Sequence, residues 1–150
     1  MTRFIGFFFV ALAAVVATAA EIKITASSSQ SGSEPGLAFD GDVFGTNRVW
    51  RGERGTSWFW EIDFGRIRKV GAVLQVLGEA DYVLQHVPRR YHWLGSRNGA
   101  YWMPLSAAAV TNEQRLFRTI RFEQQHEIRF ARLAIQEASG EYPAVREISF

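Results

Sequence analysis

The stretch SWFWEIDFG, residues 57–65, decides the fold. In an extended chain Trp58, Trp60, Ile62 and Phe64 share one face, and Phe59, Glu61 and Asp63 share the other. Side chains of a strand alternate between its faces, so this segment reads as a strand with one core face and one mixed face. Gly65 is expected to end it. Glu61 and Asp63, two apart on the mixed face, are expected to pair with Arg66, Arg68 or Lys69 rather than to form a catalytic carboxylate pair. Such a pair spans a cleft and normally comes from different strands.

Working outward, the same kind of signal recurs. Val70–Leu77 is a nearly continuous apolar run, as expected of a strand covered on both sides. Glu21–Ala26 alternates Ile22 and Ile24 with charged neighbours, and a polar loop, SSSQSGSEPG (27–36), follows. Tyr91–Ser96 leads into Arg97-Asn98-Gly99, and Asn-Gly is a strong hairpin signal. Leu116–Phe122, Phe130–Glu137 and Arg146–Phe150 complete the set. Ala107–Ala109 is the one hint of helix. Short strands with turns between them point to an all-β sandwich in one domain, residues 21–150, with Trp50 and Trp60 in its core.

Residues 1–20, MTRFIGFFFVALAAVVATAA, have the layout of a secretory signal peptide: Arg3, an apolar stretch, then small residues. The stretch from Phe4 to Val16 is shorter than the roughly 20 residues a membrane-spanning helix needs. Cleavage is expected after Ala19 or Ala20, giving a secreted or periplasmic protein. The 150-residue chain has no Cys, so it has neither disulfides nor a thiolate metal site. Its net charge of +2, with both signs interleaved, gives no footprint for nucleic acid and little for a membrane surface.

Four segments, in order, resemble the discoidin (coagulation-factor C-type, galactose-binding-like) domain. They are AFDGDVFGTNRVW (38–50), FWEIDFG (59–65), RYHWLGSRNGAYW (90–102) and RFARLAIQEASGEYPAVREISF (129–150). The sequence departs from the family pattern at Phe59, where Trp is usual, and at Asn98, where Asp is usual. One extra residue also separates Thr46 from Trp50. The resemblance implies a jelly-roll β-sandwich of about eight antiparallel strands in two sheets. It also implies ligand binding by loops at one end, to sugars, phospholipid headgroups or proteins.

Two candidate sites follow. Asp40, Asp42 and Thr46 lie within seven residues on a Gly-containing turn, as a structural Ca²⁺ site would need. The resemblance implies a further carboxylate from the last strand, Glu147. The competing reading is an Asx turn, in which Asp40 bonds nearby backbone N–H groups. The second candidate is a ligand platform in three loops, WRGERGTSW (50–58), GEADYVLQHVP (78–88) and EASGEYPA (137–144). There Arg51, Glu53, Arg54, Tyr82, His86 and Tyr142 supply rings for the C–H face of a sugar and donors and acceptors for its hydroxyls. His86, His92 and His126 share no metal-ligand spacing, and no nucleophile elbow or phosphate-cradling Gly loop is present.

The function expected is non-catalytic recognition of an extracellular or cell-envelope glycan. A protein-binding adhesion or assembly module, or an accessory domain of a linked carbohydrate-active or other extracellular enzyme, is the alternative. Anionic-lipid binding through Arg51 and Arg54 ranks below both.

Overall fold

The computed structural model of the chain describes residues 21–45, 47–80 and 83–150. Residues 1–20, read as a signal peptide, and two of the candidate site residues, Thr46 and Tyr82, lie outside the described residues. Seven strands follow in order: β1 (Lys23–Ala26), β2 (Trp50–Arg51), β3 (Trp58–Leu77), β4 (Pro88–Ser96), β5 (Met103–Pro104), β6 (Phe117–Ala138) and β7 (Ala144–Ser149). Every pairing between them is antiparallel.

The two long strands organise the molecule. β3 and β6 pair from Trp58↔Ile135 to Asp63↔Phe130, then again from Arg68↔Ile128 to Val76↔Phe117. The first half of β3 also carries β1, and the second half of β6 carries β4 and then β5. The second half of β3 carries β7, which holds β2. One layer therefore reads β1-β3-β6-β4-β5 and the other β2-β7-β3-β6, with β3 and β6 passing through both. The expected jelly-roll sandwich is present, and its sheets form a single hydrogen-bonded network.

This continuity corrects three boundaries. Gly65 does not end its strand. It adopts φ +71°, with its N–H donating to Asp63 Oδ1 at 2.8 Å, and the register shifts between Asp63 and Arg68. Such an irregularity bends a strand without terminating it. Ser57–Phe64 and Val70–Leu77 are thus one strand, and so are Leu116–Phe122 and Phe130–Glu137. Val70–Leu77 is not covered on both sides: Val73, Val76 and Leu77 are fully buried, whereas Leu74 is exposed. No helix forms at Ala107–Ala109; a 3₁₀ turn at Pro35–Phe39, led by its proline, is the helical element among the described residues.

The alternation in residues 58–64 holds throughout. Trp58, Trp60, Ile62 and Phe64 are buried, and the residues between them are half-exposed. Trp50, Trp60 and Trp93 are the largest fully buried side chains. Trp60 meets Trp93 edge-on at 6.5 Å, and Trp93 meets Phe150 edge-on at 5.5 Å. Each indole N–H has a partner: Trp60 donates to Pro35 O at 2.8 Å, Trp50 to Ser28 O at 3.1 Å and Trp93 to Gln75 Oε1 at 2.9 Å. Gln75 lies in the other layer from Trp93 and also donates to Tyr91 Oη. Tyr91 in turn donates to Glu113, which is held by Arg118 at 2.6 Å. Burial, then the Glu113 charge, raises the Tyr91 phenol above its usual range, so it remains a donor.

Close packing fixes small residues as well. A Cβ on Gly95 would lie 2.5 Å from Leu105 Cδ2 and 2.8 Å from Ile128 Cγ2, and both neighbours are fully buried. Gly95→Ala is expected to destabilise by about 1–3 kcal/mol through overpacking, measured by urea unfolding. A variant as stable as the parent would show that β4 has room to shift at this point.

Candidate ligand site

Three connections meet at one end of the sandwich: the segment after β2, the β3–β4 loop and the β6–β7 loop. Backbone bonds tie them together. Gly78 N donates to Ala144 O at 2.9 Å, Ala144 N to His86 O at 2.7 Å and Gly52 N to Pro143 O at 3.0 Å. Gly55 N donates to Glu141 O at 3.2 Å. The side chains therefore sit on a framework of mutually braced loops.

On this framework His86 and Tyr142 stack in parallel, with ring centroids 3.8 Å apart and planes 4° from parallel. His86 takes a left-handed backbone, φ +61°, which is uncommon for a residue other than Gly. Gly140 makes room for its ring, because a Cβ there would lie 2.5 Å from His86 Nδ1. Tyr142 Oη donates to Glu79 Oε1 at 2.8 Å, and Arg51 Nε donates to the same oxygen at 2.7 Å. Arg51 Nη1 also reaches Ser33 Oγ at 2.9 Å. Burial alone would raise the Glu79 pKa, but the bonds from Arg51 and Tyr142 outweigh it and hold the carboxyl below its usual range. Burial and the bond to Glu79 push the Tyr142 phenol up. The site is thus an anion-anchored pair of rings with an arginine fork beside it.

Arg51, His86 and Tyr142 are brought together as the sequence suggests. Arg54 pairs with Glu141 on the exposed rim and is not part of the stack. Glu53 contributes backbone: its N–H donates to Ser28 Oγ and its carbonyl accepts the Trp58 indole N–H at 2.8 Å. Its side chain is exposed and does not join the cluster, because the turn that seats Trp58 spends the residue on main-chain bonds. Glu79, which the sequence reading passed over, is the residue that unites the site. Its signal was its place directly after Gly78, whose φ of +80° turns the chain at the strand's end.

The second candidate, the loop of Asp40 and Asp42, does lie against Glu147. Gly41 N donates to Glu147 Oε2 at 3.3 Å. Asp42 N donates to Asp40 Oδ1 at 2.8 Å, the Asx turn weighed as the alternative, and Gly45 N donates to Asp42 Oδ1 at 2.9 Å. Arg48 caps Asp40 through Nε. Burial, and then the negative charges of Asp40 and Asp42, push Glu147 up to about 7. Three mutually repelling carboxyls with few cationic partners are the donor chemistry a hard cation takes. Among the described residues, however, no three such side chains converge as a preformed metal cage. Cation binding would require Arg48 to leave Asp40.

Glu61 and Asp63 pair across the sheet and not along their own strand. Arg132 donates to Glu61 Oε2 through Nε at 2.8 Å and Nη2 at 2.6 Å, and Arg129 forks onto Asp63 with two bonds of 2.8 Å. The expected partners Arg66, Arg68 and Lys69 lie beyond the bend at Gly65, whereas Arg132 is in register with Glu61. The Arg129 bonds hold Asp63 below its ordinary value against the effect of burial, the reverse of what a general acid needs.

Solved structures similar to this one include carbohydrate-binding modules. The family 32 module of Clostridium perfringens NanJ in complex with galactose aligns with a TM-score of 0.71 and 14% identity, over 85% of this chain and 90% of that one. A Streptococcus pneumoniae fucose binding module aligns at 0.68 and 19%, over 84% and 87%. Chitosan-binding module 2 from a Paenibacillus sp. IK-5 chitosanase/glucanase, in complex with chitotriose, aligns at 0.70 and 19%, over 87% and 96%. No curated protein matches the sequence. The model of the F5/8 type C domain matches residues 23–148, nearly all of the described strands, and the chain belongs to that family.

Proposed function

We propose that this chain is a secreted, non-catalytic module that binds a glycan at its loop end, through Arg51, Glu79, His86 and Tyr142. The observation that carries this reading is the His86–Tyr142 stack locked to Glu79 and Arg51. Pre-ordered rings and directed polar groups recognise a sugar's C–H face and hydroxyls at small entropic cost. The galactose and chitotriose complexes of similar modules, and a similar fucose binding module, lend support. The forked arginines on Glu61 and Asp63 support a non-catalytic role, and the leader-like residues 1–20 support export. We also assign Ca²⁺ to the Asp40, Asp42, Thr46 and Glu147 loop, as a brace with no role in chemistry.

A glycan array probed with residues 21–150 tests the reading. Binding to one or a few sugar classes is expected. Tyr142→Ala is expected to weaken it at least tenfold, about 1.4 kcal/mol, while circular dichroism stays unchanged. An array without hits, together with retention of a protein partner in pull-down, would favour the adhesion alternative.

A further inference from the structure

The outward face of the β1-β3-β6-β4-β5 layer carries a second set of groups, bordered at one end by the segment after β2. Its rows follow from the register: Phe59 lies beside Ala134 and then His92, and Glu61 beside Arg132 and then Leu94. Ala134 is the small residue in its row, and it lies with Phe59 in a groove of about 420 Å³. Phe59, Leu94, Arg132 and Gln136 line it, and Ser27 and Ser57 stand at one end. That volume falls in the range of about 300–1,000 Å³ typical of ligand pockets.

Arg132 is rigidly held. Its guanidinium lies 4.7 Å from the Phe59 ring centroid and 4.0 Å from that of Trp102, and two bonds fasten it to Glu61 Oε2. Both bonds use one carboxylate oxygen and two of the three guanidinium nitrogens. Glu61 Oε1 and Arg132 Nη1 carry no hydrogen bond among the described residues. Arg132 thus brings a spare donor to the groove, and Glu61, bonded to it from beside the groove, offsets its charge and carries a spare acceptor. A sugar hydroxyl, which both donates and accepts, is the complement of that pair. A net anionic or cationic chain would gain no net charge there.

We propose that this groove is a second glycan site, which takes a neutral polysaccharide chain laid across the strands. The loop end and the sheet face would then bind separately, one a compact sugar determinant and the other a run of the backbone. The proposal does not depend on the loop-end reading.

Native affinity electrophoresis of the purified chain tests it, with hydroxyethylcellulose, xylan, laminarin or mannan in the gel. At least one of these is expected to retard the protein. Ala134→Phe, which fills the trough from a half-buried surface position, is expected to reduce the affinity at least tenfold. Arg132→Lys, which keeps the charge but loses the fork, is expected to do the same. Tyr142→Ala is expected to leave retardation unchanged, and Ala134→Phe to leave the array profile of the loop end unchanged. Melting curves establish that each variant is folded. The proposal is overturned if none of the four polymers retards the protein, or if Ala134→Phe is retarded as strongly as the parent. It is also overturned if Tyr142→Ala alone abolishes retardation. Concentration-dependent dimerisation in sedimentation that Ala134→Phe removes would overturn it too, by assigning the face to a second copy of the chain.

Discussion

Trp93→Ala is expected to lower stability by about 3–5 kcal/mol, the usual cost of truncating a fully buried large aromatic. Three losses combine. The indole leaves a cavity between the two layers, where its ring meets Trp60 and Phe150 edge-on. Those edge-to-face contacts exceed simple burial by about 0.5–1.5 kcal/mol each. Gln75 Oε1 loses its donor in a fully buried setting. The melting temperature is expected to drop by roughly 10–15 °C for a domain of this size. Trp93→Phe separates the terms, because it keeps most of the ring but leaves Gln75 Oε1 without its donor, at about 1–3 kcal/mol. A Trp93→Ala protein that melts within a few degrees of the parent would contradict the description of the core.

The second large effect concerns Glu147. Its folded-state pKa of about 7 lies above the ordinary 4.5, so the folded protein holds this proton more tightly than the unfolded chain does. Below about pH 4.5 both states are protonated, and the group contributes its full relative stability. As pH rises from there towards 7, the unfolded chain ionises first and that contribution is lost; above pH 7 the loss is complete. In chelator, the melting temperature is therefore expected to fall between pH 4.5 and 7 by more than in Glu147→Gln, which lacks the titration. Ca²⁺ is expected to reverse the fall above pH 7, because a cation would pair with the carboxylate that burial and then the Asp40 and Asp42 charges otherwise penalise. A parent and a Glu147→Gln variant with parallel pH profiles would refute the account. Equal melting temperatures in millimolar Ca²⁺ and in chelator would remove the Ca²⁺ assignment.

The fold was legible because its strongest signals are local. The alternation from Trp58 to Phe64 states which face is buried, and the Asn98-Gly99 turn announces a hairpin: Asn98 Oδ1 accepts from Ala100 N at 3.0 Å, and Gly99 has φ +76°. The strand ends were less legible. A glycine in a strand reads as a stop, and whether it stops or bends the chain depends on a partner strand more than sixty residues away. Site residues divided in the same way. Arg51, His86 and Tyr142 announced themselves as aromatic or forked side chains in Gly-rich loops. Glu79 did not, because one acidic loop residue resembles another until Arg51 and Tyr142 are folded against it. The partners of Glu61 and Asp63 escape the sequence for that reason too: Arg66, Arg68 and Lys69 are near along the chain, but the sheet brings Arg132 and Arg129 nearer.

The passage of β3 and β6 through both layers has a consequence for how the molecule is made. Its central ladder joins residues as distant as Trp58 and Ile135. β7 then locks β2 and β3 together. Few of these contacts can form while the chain is still emerging, because their partners have yet to be synthesised. High contact order of this kind slows folding to the range of milliseconds to seconds. A chain that cannot close its core until Ser149 is available stays open until β7 has been made, and were it exported as proposed, that open state is the one a narrow channel admits.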